Sequence, residues 1–565
     1  MSETAVLAAP NGKPLTKNEQ LKLAIPTLAG NLAATLNDPA AVCFSTDDEQ
    51  FLKFHGIYQQ DDRDQRKIAK HYMWMIRGRI PGGVLSSTGY LVYDALATKY
   101  GNQTLRLTSR QSIQFHGVVK AGLGPLMREL NQAMMDTLAA CGDVNRNVMS
   151  TVIPARTAAH RTLLDDARRV SEALLPKTKA YHSIWVEGVQ LKLDEPANLE
   201  FVDPLYGKQY LPRKFKAAFA LGNVNDVDLF TNCLGFIGIE VEGEVVGYNL
   251  TAGGGLGRSH GNAATYPRLA DVIGFVTRDQ LVAAARAVLT IHRDFGDRTD
   301  RKHARLKYIL EERGAVWFRA ELESRLGFAL AEPKPYKFTQ QGDSFGWGDA
   351  ADGSRYLGLY VESGRVKDRP NHQLKTALVK IARQFGPEFR ITPSQNLVLA
   401  GIKPADVAGI TALLAEHGIP VERQTSALRR NSMACPSMPT CGLGLAESER
   451  YLPTLMGEIE GVLGELGMPD EEIIIRMTGC PNGCARPYMA EIGFVGKGPG
   501  RYQIYLGGNE SCTRLNRLYK DGVKEPDMVK ELRPLLERFR AERHGLERFG
   551  DWVERVFWKE QPAVN

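Results

Sequence analysis

Long apolar runs and a strong excess of one charge are both missing from this chain of 565 residues. No segment reaches the roughly twenty consecutive apolar residues that a membrane-spanning helix needs. The N-terminus carries Glu3 and lacks the basic start and apolar run of an export signal. Lysine and arginine total 71 against 65 acidic residues, a net charge of +6, which is not typical of nucleic-acid-binding proteins. The sequence therefore predicts a cytoplasmic protein that binds neither membranes nor nucleic acids.

Cysteine is also scarce, and half of the eight cysteines lie in two short segments. ACPSMPTCG contains Cys435 and Cys441, and TGCPNGCA contains Cys480 and Cys484. Both segments open with Cys-Pro, and proline is favoured at the first position of a helix. Free amides and the helix dipole stabilise a thiolate at such a position. We therefore expect two pairs of thiolates, the second on a tight turn that enters a helix.

Four thiolates on two turns favour a 4Fe-4S cluster. Structural zinc is the alternative, but zinc sites usually have two-residue spacers within each pair, and these spacers have five and three residues. Disulfides are rare in chains that are not exported. The other cysteines, Cys43, Cys141, Cys233 and Cys512, are isolated, and we expect them to be buried apolar thiols.

An internal repeat organises the rest of the chain. A shift of 284 residues superimposes RLTSRQSIQFHGV (106–118) on RITPSQNLVLAGI (390–402), and it also superimposes Arg146-Asn147 on Arg430-Asn431. Further on, YNLTAGGG (248–255) resembles YQIYLGGN (502–509), now at an offset of 254 residues. This pattern predicts a duplicated unit with pseudo-twofold symmetry.

The two copies differ in the residues that carry chemistry. The first copy has Arg110, Gln114 and His116 where the second has Ser394, Val398 and Ala400, and the second has Cys435 where the first has Thr151. One half therefore supplies a polar, cationic surface and the other supplies the cysteines. We expect one active site shared by the two halves.

Several segments concentrate cations. Period-2 alternation places Arg77 and Arg79 on one face of MWMIRGRIPGG (73–83). If 106–118 is one extended strand, its polar residues from Arg106 to His116 share a face. The same alternation places Lys214 with Lys216, opposite Arg213, in YLPRKFKAAFA (210–220). A solvated strand face and an anionic ligand explain these patterns equally well.

A further basic segment, RTDRKHARLK, has helical spacing. Arg298, Arg301, Lys302 and Arg305 fall at i, i+3, i+4 and i+7, which predicts one basic face of a helix. A solvated helix and a ligand with many carboxylates are both compatible with this spacing.

The cysteine segments, with spacing Cys-x5-Cys and Cys-Pro-Asn-Gly-Cys, resemble the sirohaem-containing sulfite and nitrite reductases. FLKFHGIYQQDDRDQR (51–66) is similar to the N-terminal signature of that family, and the resemblance runs from about Leu52 to about Trp552. It implies an α+β fold, internally duplicated, with two ferredoxin-like half-domains and two mixed α/β cofactor-binding domains. The implied domains are an N-terminal arm (1–62), a ferredoxin-like half-domain (63–140), a sirohaem and substrate domain (141–335), a second half-domain (336–424) and an iron–sulfur domain (425–565).

The resemblance also implies roles for individual residues. Cys435, Cys441, Cys480 and Cys484 would hold the 4Fe-4S cluster, and Cys484 would also bind the sirohaem iron. Sirohaem carries many carboxylates, so its pocket needs cations to offset their burial. The residues implied to bind it are Arg106, Arg110, Gln114, His116, Asn147, Arg301, Lys302 and Gln395. The anion site maps onto Arg77, Arg146, Lys214 and Lys216, which would bind sulfite and deliver protons.

The function implied is assimilatory sulfite reduction, the six-electron conversion of sulfite to sulfide for cysteine biosynthesis. Nitrite-reducing members often lack the second lysine, so Lys216 favours sulfite. The sequence shows no flavin or NADPH site, and the opening segment resembles the haemoprotein of bacterial NADPH-sulfite reductase, whose partner is a flavoprotein. Ferredoxin as the donor, for sulfite or nitrite, is the alternative within the family. A non-catalytic iron–sulfur or zinc protein is the alternative outside it.

Overall fold

The structure is a computed structural model that describes residues 12–152, 157–178, 185–186, 189–190, 202–339, 342–419, 421 and 425–560. Four five-stranded sheets form its framework, in two matching pairs. Within the described part of the chain, no helix is long and apolar enough to cross a membrane.

The first pair of sheets is antiparallel throughout. In spatial order, one sheet contains Ile57–Asp61, Tyr72–Arg77, Ile113–Val118, Leu105–Leu107 and Arg365–Val366. The other contains Gly346–Asp349, Arg355–Leu359, Leu397–Ile402, Glu388–Ile391 and Val84–Leu85. Each sheet thus receives its last strand from the other half of the chain. The exchange ties the two copies together through backbone hydrogen bonds and removes one open edge from each sheet.

These two sheets share one apolar core. Leu105 and Phe115 of one sheet belong to the same buried cluster as Leu357 and Phe389 of the other. Tyr90, on a helix of the first copy, stacks on Phe389 with 4.1 Å between ring centroids. The half-domains therefore pack as one body, which fixes the relative positions of their hairpin turns.

The second pair of sheets has an identical mixed topology. The strands are Met149–Ser150, Ala217–Leu221, Leu234–Val241, Glu244–Ala252 and Asp271–Thr277 in the first, and Ser432–Ala434, Ile475–Thr478, Ile492–Gly498, Arg501–Leu506 and Arg517–Lys524 in the second. In both, two parallel pairings are followed by two antiparallel ones. The predicted α+β fold with an internal duplication is confirmed.

Helices cover the sheets and fill the space between them. They are Lys17–Ala24, Leu32–Asn37, Asp48–Phe54, Ser87–Tyr100, Lys120–Gln132, Ala158–Ala173, Leu281–Phe295, Leu306–Leu326, Leu374–Gln384, Val407–Glu416, Ala427–Arg430, Leu452–Glu465, Met528–Glu542, Phe549–Trp552 and Trp558–Glu560. Two short hairpins add Asp368–Arg369 with His372–Gln373, and Trp185–Val186 with Val189–Gln190.

Two local predictions are wrong. The segment 106–118 is a hairpin and not one strand, because Gln111 takes a left-handed conformation (φ +53°) at the turn between Leu105–Leu107 and Ile113–Val118. Its counterpart Gln395 does the same (φ +71°). The basic segment from Arg298 to Arg305 is also not helical, since the next helix begins only at Leu306. Asp297 and Asp300 side chains accept backbone N–H groups there and stabilise turns instead.

The N-terminal segment, predicted to be a polar arm, is anchored by buried charges. Lys22 donates to Glu19 (2.5 Å) and to the carbonyl of Leu211 (2.7 Å), and its Nζ lies 3.5 Å from Asp143. Arg298 also pairs with Glu19. Lys22, Glu19 and Asp143 are all buried. Because each of these buried charges has a partner of opposite sign, the helix Lys17–Ala24 can pack on the rest of the molecule without burying an unpaired charge.

Replacing Lys22 with methionine should destabilise the protein by about 3 kcal/mol, because Glu19 and Asp143 each lose a buried partner. The matched control is Lys17→Met on the same helix, where the lysine is 69% exposed and pairs with Asp47. That change should cost no more than about 0.5 kcal/mol. Calorimetric unfolding of the two variants would measure the difference, and equal midpoints would show that the buried network contributes nothing.

Candidate functional site

The four paired cysteines open on one cavity of about 150 Å³ between the two halves of the molecule. The second copy contributes Cys435, Cys441, Cys480 and Cys484, and the first contributes the hairpin around Thr108 and Ser109. The cavity also contains several of the predicted polar residues, namely Arg77, Arg106, Gln114, His116 and Gln395. The expectation that one half brings cations and the other brings cysteines therefore describes this cavity.

Two adjacent parallel strands position the cysteines. Cys435 follows Ser432–Ala434 and donates its N–H to the carbonyl of Met477, while Gly479, after Ile475–Thr478, donates to the Cys435 sulfur at 3.4 Å. Gly479 has no room for a side chain, since a Cβ would lie 1.8 Å from the Ser437 hydroxyl. Both pairs lie in turns and loops, so the predicted helix starts at Pro436 and Pro481 are wrong.

The thiols influence one another strongly. Burial raises the pKa of Cys435, and the nearby Cys484 and Cys480 raise it further. Burial, followed by Cys484, also raises the pKa of Cys480 to about 12. Four thiolates cannot share such a site unless cationic metal compensates them. The donor set thus fits an iron–sulfur cluster, which keeps its ligands deprotonated.

The described residues do not form a site for a single metal ion. Within those ranges, no group of three His, Cys, Asp or Glu side chains is arranged so that it could hold one ion. Tetrahedral zinc needs sulfurs about 2.3 Å from one centre. Cysteines around a multi-iron cluster are held further apart, because each ligates a different iron.

Arg106 fixes the floor of the cavity. Its side chain is 1% exposed and donates to Glu449 (2.9 Å), the Leu107 carbonyl (2.6 Å) and the Ala434 carbonyl (2.7 Å). Glu449 also forms an ion pair with Arg365, which lies on the strand Arg365–Val366 that the second half contributes to the first sheet. Burial opposes ionisation of Glu449, but Arg106 and Arg365 lower its pKa to about 2. Arg106 therefore joins the first half-domain to the cysteine-bearing strand.

Arg77, Gln114 and His116 form a chain along neighbouring strands. With the Gln114 amide oriented to satisfy both neighbours, its oxygen accepts from Arg77 Nε (2.9 Å) and Nη2 (2.5 Å), and its nitrogen donates to His116 Nε2 (3.0 Å). Burial, and then Arg365, lower the pKa of His116 well below the ordinary value. A neutral histidine accepts this hydrogen bond, so Gln114 holds the Arg77 guanidinium at the cavity wall.

Arg110 projects from the turn of the same hairpin. It donates to Asn232 (2.8 Å) and to the carbonyls of Asn147 (2.6 Å) and Ala217 (3.1 Å), and its buried Nε has no partner. Asn147 instead bonds backbone groups of Ile80, Arg110 and Gln111 and so shapes the turn. The Gln395 side-chain oxygen, buried at the cavity, is also without a partner.

The remaining cations cluster on the first large sheet. Burial lowers the pKa of Lys214 well below the ordinary value, and Arg146, Arg213, Lys216 and Arg305 lower it further. Burial and then Arg110, Arg305 and Arg146 do the same for Lys216. Among the described residues, neither lysine has an acidic partner. Such a group of cations fits a ligand with many negative charges.

Arg213 and Arg305 are members of this group that the sequence patterns misplaced. Arg213 was expected opposite Lys214 and Lys216, but the strand begins only at Ala217, so strict alternation does not apply to the preceding residues. Arg305 caps the helix Leu306–Leu326 and is buried beside Cys233. Two sequence features indicated that these segments form neither a strand nor a helix. They are the proline at position 212 and the polar run before Leu306.

Arg301 and Lys302 have different environments. Arg301 makes two hydrogen bonds to Asp143, at 2.7 and 2.9 Å, and so connects the cation group to the N-terminal network. Lys302 is exposed and does not line the cavity of the cysteines.

The isolated cysteines are only partly as expected. Cys141, Cys233 and Cys512 are buried, but Cys43 is half-buried. The three buried sulfurs each accept from a buried or half-buried arginine, at 3.1 Å from Arg77, 3.7 Å from Arg305 and 3.7 Å from Arg476. Tyr58, another residue missed from sequence, lies 3.5 Å from Arg146 through its hydroxyl.

Comparisons with known proteins identify relatives over the whole chain. The family described as "Nitrite and sulphite reductase 4Fe-4S domain" matches residues 142–330 and 425–560, and "Nitrite/Sulfite reductase ferredoxin-like half domain" matches 65–133 and 349–417. The sulfite reductase [NADPH] hemoprotein beta-component of Myxococcus xanthus is 50% identical over 98% of each chain, and that of Lysinibacillus sphaericus is 45% identical over 98% of each. The Mycobacterium tuberculosis NirA structure superimposes with a TM-score of 0.78 at 26% identity, covering 96% of this chain and 97% of that one.

A second and much smaller cavity, of about 20 Å³, occupies the pseudo-symmetric position. It is lined by Ser394, Arg430 and Asn431, the counterparts of Arg110, Arg146 and Asn147, and by Asp226, Asp343, Ile474 and Arg476. Met149 pairs with Ala218 and Met433 with Arg476. This register places Glu471, Glu472 and Ile474 where the first copy has Arg213, Lys214 and Lys216. Glu471 and Glu472 do not line the second cavity but pair with Arg543 and Arg548. Its own charged lining is two acids, Asp226 and Asp343, balanced by Arg430 and Arg476, so it lacks the excess of cations that a polyanion needs.

Asp226 makes this second cavity sensitive to pH. Burial raises the pKa of Asp226 from 3.8 to about 7. The folded state thus binds this proton more tightly than the unfolded state, so stability is highest at low pH and falls as the pH rises to 7. Relative to Asp226→Asn, the wild type should lose about 2 kcal/mol between pH 5.5 and pH 8.

Thermal unfolding at the two pH values would measure that loss. Asp352→Asn is the control, because Asp352 is exposed and a hydrogen bond from Ser354 lowers its pKa, so it stays ionised throughout. Parallel pH profiles for wild type and Asp226→Asn would show that Asp226 carries no extra proton.

Proposed function

This chain belongs to the nitrite and sulphite reductase family, and from that membership we propose that it is the haemoprotein component of an NADPH-linked sulfite reductase. Its reaction is the six-electron reduction of sulfite to sulfide, with three oxygens leaving as water, and it serves sulfur assimilation into cysteine. The observation that carries the proposal is one cavity between the two halves that is lined by all four paired cysteines together with Arg77, Arg106 and His116 of the other half. The hairpin that lines it also carries Arg110, whose charge acts on Lys216 of the cation group.

The cysteines are proposed to hold the 4Fe-4S cluster. Cys484 is the one exposed member of the set, and its carbonyl accepts from Ser109 of the opposite half at 2.8 Å. It is therefore the thiolate best placed to reach a second metal centre, and we assign it as the shared ligand of cluster and sirohaem iron. Bound there, sirohaem and the cluster supply the iron that sulfite binds and the electrons that reduce it.

The cation group is proposed to hold the sirohaem carboxylates and sulfite. Arg110, with an unpartnered Nε, and Gln395, with an unpartnered oxygen, lie at the turns of the two hairpins. Arg106, Gln114, His116 and Asn147 shape the same wall through the hydrogen bonds described above. Arg301 holds the group in place through Asp143, and Lys302 keeps only a peripheral role as a cation near the entrance.

Arg77, Arg146, Lys214 and Lys216 are proposed to bind the sulfite oxygens. Arg77 is held by Gln114, and Arg146 contacts the Tyr58 hydroxyl, so both guanidinium groups are oriented before substrate arrives. Preorganised donors of this kind stabilise negative charge that grows on the oxygens during reduction.

The lysines are suited to proton delivery. Burial and neighbouring cations hold the pKa of Lys214 and Lys216 well below the ordinary value. An anion beside either lysine stabilises its ammonium form, while burial and the neighbouring cations disfavour that form. An ammonium group in this environment is a stronger acid than an ordinary lysine and can donate its proton to an oxygen that leaves as water.

Electrons are proposed to come from a flavoprotein partner. The names of the full-length relatives describe an NADPH-dependent enzyme with a beta-component, and the chain itself shows no flavin or NADPH motif. Ferredoxin is the second candidate donor, because ferredoxin-dependent members have similar motifs.

Spectroscopy of anaerobically purified protein tests the cofactor assignment. We expect a red-shifted isobacteriochlorin band and five irons for every four acid-labile sulfides. The Cys480→Ser variant should lose the cluster signal, whereas Cys43→Ser should keep it. A colourless protein with bound zinc would contradict the proposal.

Replacing Lys216 with asparagine tests the substrate. We expect kcat/KM for sulfite to fall about 100-fold with methyl viologen as donor, since one fixed cation and proton donor is lost. Nitrite carries a single charge and has fewer oxygens to release, so kcat/KM for nitrite should fall less than kcat/KM for sulfite.

Lys403→Asn is the matched control, because Lys403 is exposed and far along the chain from the cation group. Sirohaem content must remain that of the wild type for the comparison to hold. Equal losses on sulfite and nitrite would mean that Lys216 does not select between them.

A further inference from the structure

The segment from Asp62 to His71, named here the cluster-edge loop, lies directly on the loop that carries Cys441. The Arg63 N–H donates to the Pro439 carbonyl at 3.2 Å, and its guanidinium donates to the carbonyls of Cys441 (3.2 Å) and Gly444. Asp64 pairs with Arg450 at 2.6 Å. The base of the loop is thus fixed to the proposed cluster ligand by backbone contacts.

The rest of the loop is fully exposed. Every residue from Asp64 to His71 is exposed. N–H groups of Ile68 and Ala69 both donate to the Gln65 carbonyl, which makes a compact turn with Ile68 at its tip. A turn of this kind has a defined shape even though most of its side chains project toward solvent.

Apolar side chains mark this surface. Ile68 is 88% exposed, and Leu443, between Cys441 and Gly444, is 66% exposed. Single exposed apolar residues are common on proteins. Here, however, one lies on the cluster-edge loop and the other on the cysteine loop that Arg63 binds, so each of the two loops that meet beside a proposed cluster ligand exposes an apolar side chain.

The charges around these side chains are unequally compensated. Asp61 pairs with Arg66, Asp64 pairs with Arg450, and Asp62 accepts from the backbone of Asp64 and from Gln65. Lys67 and Lys70 make no hydrogen bond or ion pair among the described residues. Lys70 acts on Asp61 only at longer range, where it helps to lower the pKa of that carboxyl. The loop therefore presents two exposed lysines that no acidic side chain contacts directly among the described residues.

We propose that the cluster-edge loop, together with Leu443, is the docking surface for an electron-transfer protein or domain whose exposed redox group is surrounded by acidic residues. The proposal rests on the proposed function, since only an electron-accepting cluster gives the surface this use. An apolar centre with a charged rim is the usual anatomy of a protein interface. Electron-transfer complexes are small and transient, so a surface of this size suffices.

The position of the cluster-edge loop beside a proposed cluster ligand indicates which kind of protein would bind there. Electron transfer falls steeply with distance, so a donor must approach the cluster at its nearest accessible edge. Cys435 and Cys480 are buried, and the exposed Cys484 is the ligand assigned to the sirohaem side. The loop lies on Cys441, the half-buried ligand that remains. Unpaired lysines attract an acidic partner and raise its association rate, an effect that salt weakens.

Steady-state sulfide formation with two donors tests the proposal. One donor is the NADPH-reduced flavoprotein component of a bacterial sulfite reductase, and the other is reduced methyl viologen, which is small enough to need no docking surface. For Lys67→Glu/Lys70→Glu and for Ile68→Asp, the KM for the flavoprotein should rise about tenfold or more. The methyl viologen rates should stay within about twofold of wild type, because the cluster is untouched.

Matched changes elsewhere provide the controls. Lys403→Glu/Lys559→Glu introduces the same charge change at exposed lysines, and Leu546→Asp replaces a residue that is 99% exposed. These controls should leave both donors unaffected. The double lysine variant should also show a weaker dependence of flavoprotein kcat/KM on salt than the wild type.

Each other result overturns the docking proposal. An unchanged flavoprotein KM in both variants, or equal losses in variants and controls, would exclude this surface. Loss with methyl viologen as well would show that the loop supports the cluster and not the donor. Failure of the wild type to make sulfide with methyl viologen would instead contradict the proposed function, so the two failures can be told apart.

Discussion

The structure is organised around the burial of several like charges in one place. Burial lowers the pKa of Lys214, Lys216, Arg110 and Arg213, and the neighbouring charges of Arg146 and Arg305 lower those of both lysines further. Such a group is unfavourable on its own. It is tolerated because surrounding carbonyls and Asn232 bind Arg110, and Asp143 compensates Arg301. The positive charges that no acid compensates are available to an anionic ligand. The site is therefore electrostatically complementary to such a ligand before it binds.

Duplication explains how cations and thiols can be adjacent without interfering in folding. Each large sheet forms its own core, and the cysteines and the lysines belong to different sheets. The exchanged strands, and the buried bridge from Arg106 to Glu449, then hold the halves in a fixed relation. Ser109 and Arg486, which bond backbone across the interface, extend that contact to the Cys484 loop. The composite site is therefore set by backbone pairing as much as by side chains.

Much of this could be predicted from sequence because it depends on patterns with a long range. The sequence patterns predicted the internal repeat, the α+β class and the four paired cysteines, Cys435, Cys441, Cys480 and Cys484. They did not predict the local backbone geometry. A left-handed Gln111 turns 106–118 into a hairpin, and nothing in residue alternation signals it, since glutamine seldom takes that conformation. The ion pairs of Arg106 with Glu449 and of Arg301 with Asp143 could not be predicted either, because the partners lie far apart in the sequence.

The pseudo-symmetric cavity shows why one fold used twice has a single active site. Backbone topology is identical in the two copies, and Arg430 and Asn431 are retained in the second. Yet the register positions of Lys214 and Lys216 hold Glu472 and Ile474 in the second copy, and Asp226 and Asp343 face the cavity from elsewhere. These two carboxylates offset Arg430 and Arg476, so no excess of cations is left to bind a polyanionic cofactor. Charge at a few register positions, and not the fold, therefore decides which of two equivalent cavities can do chemistry.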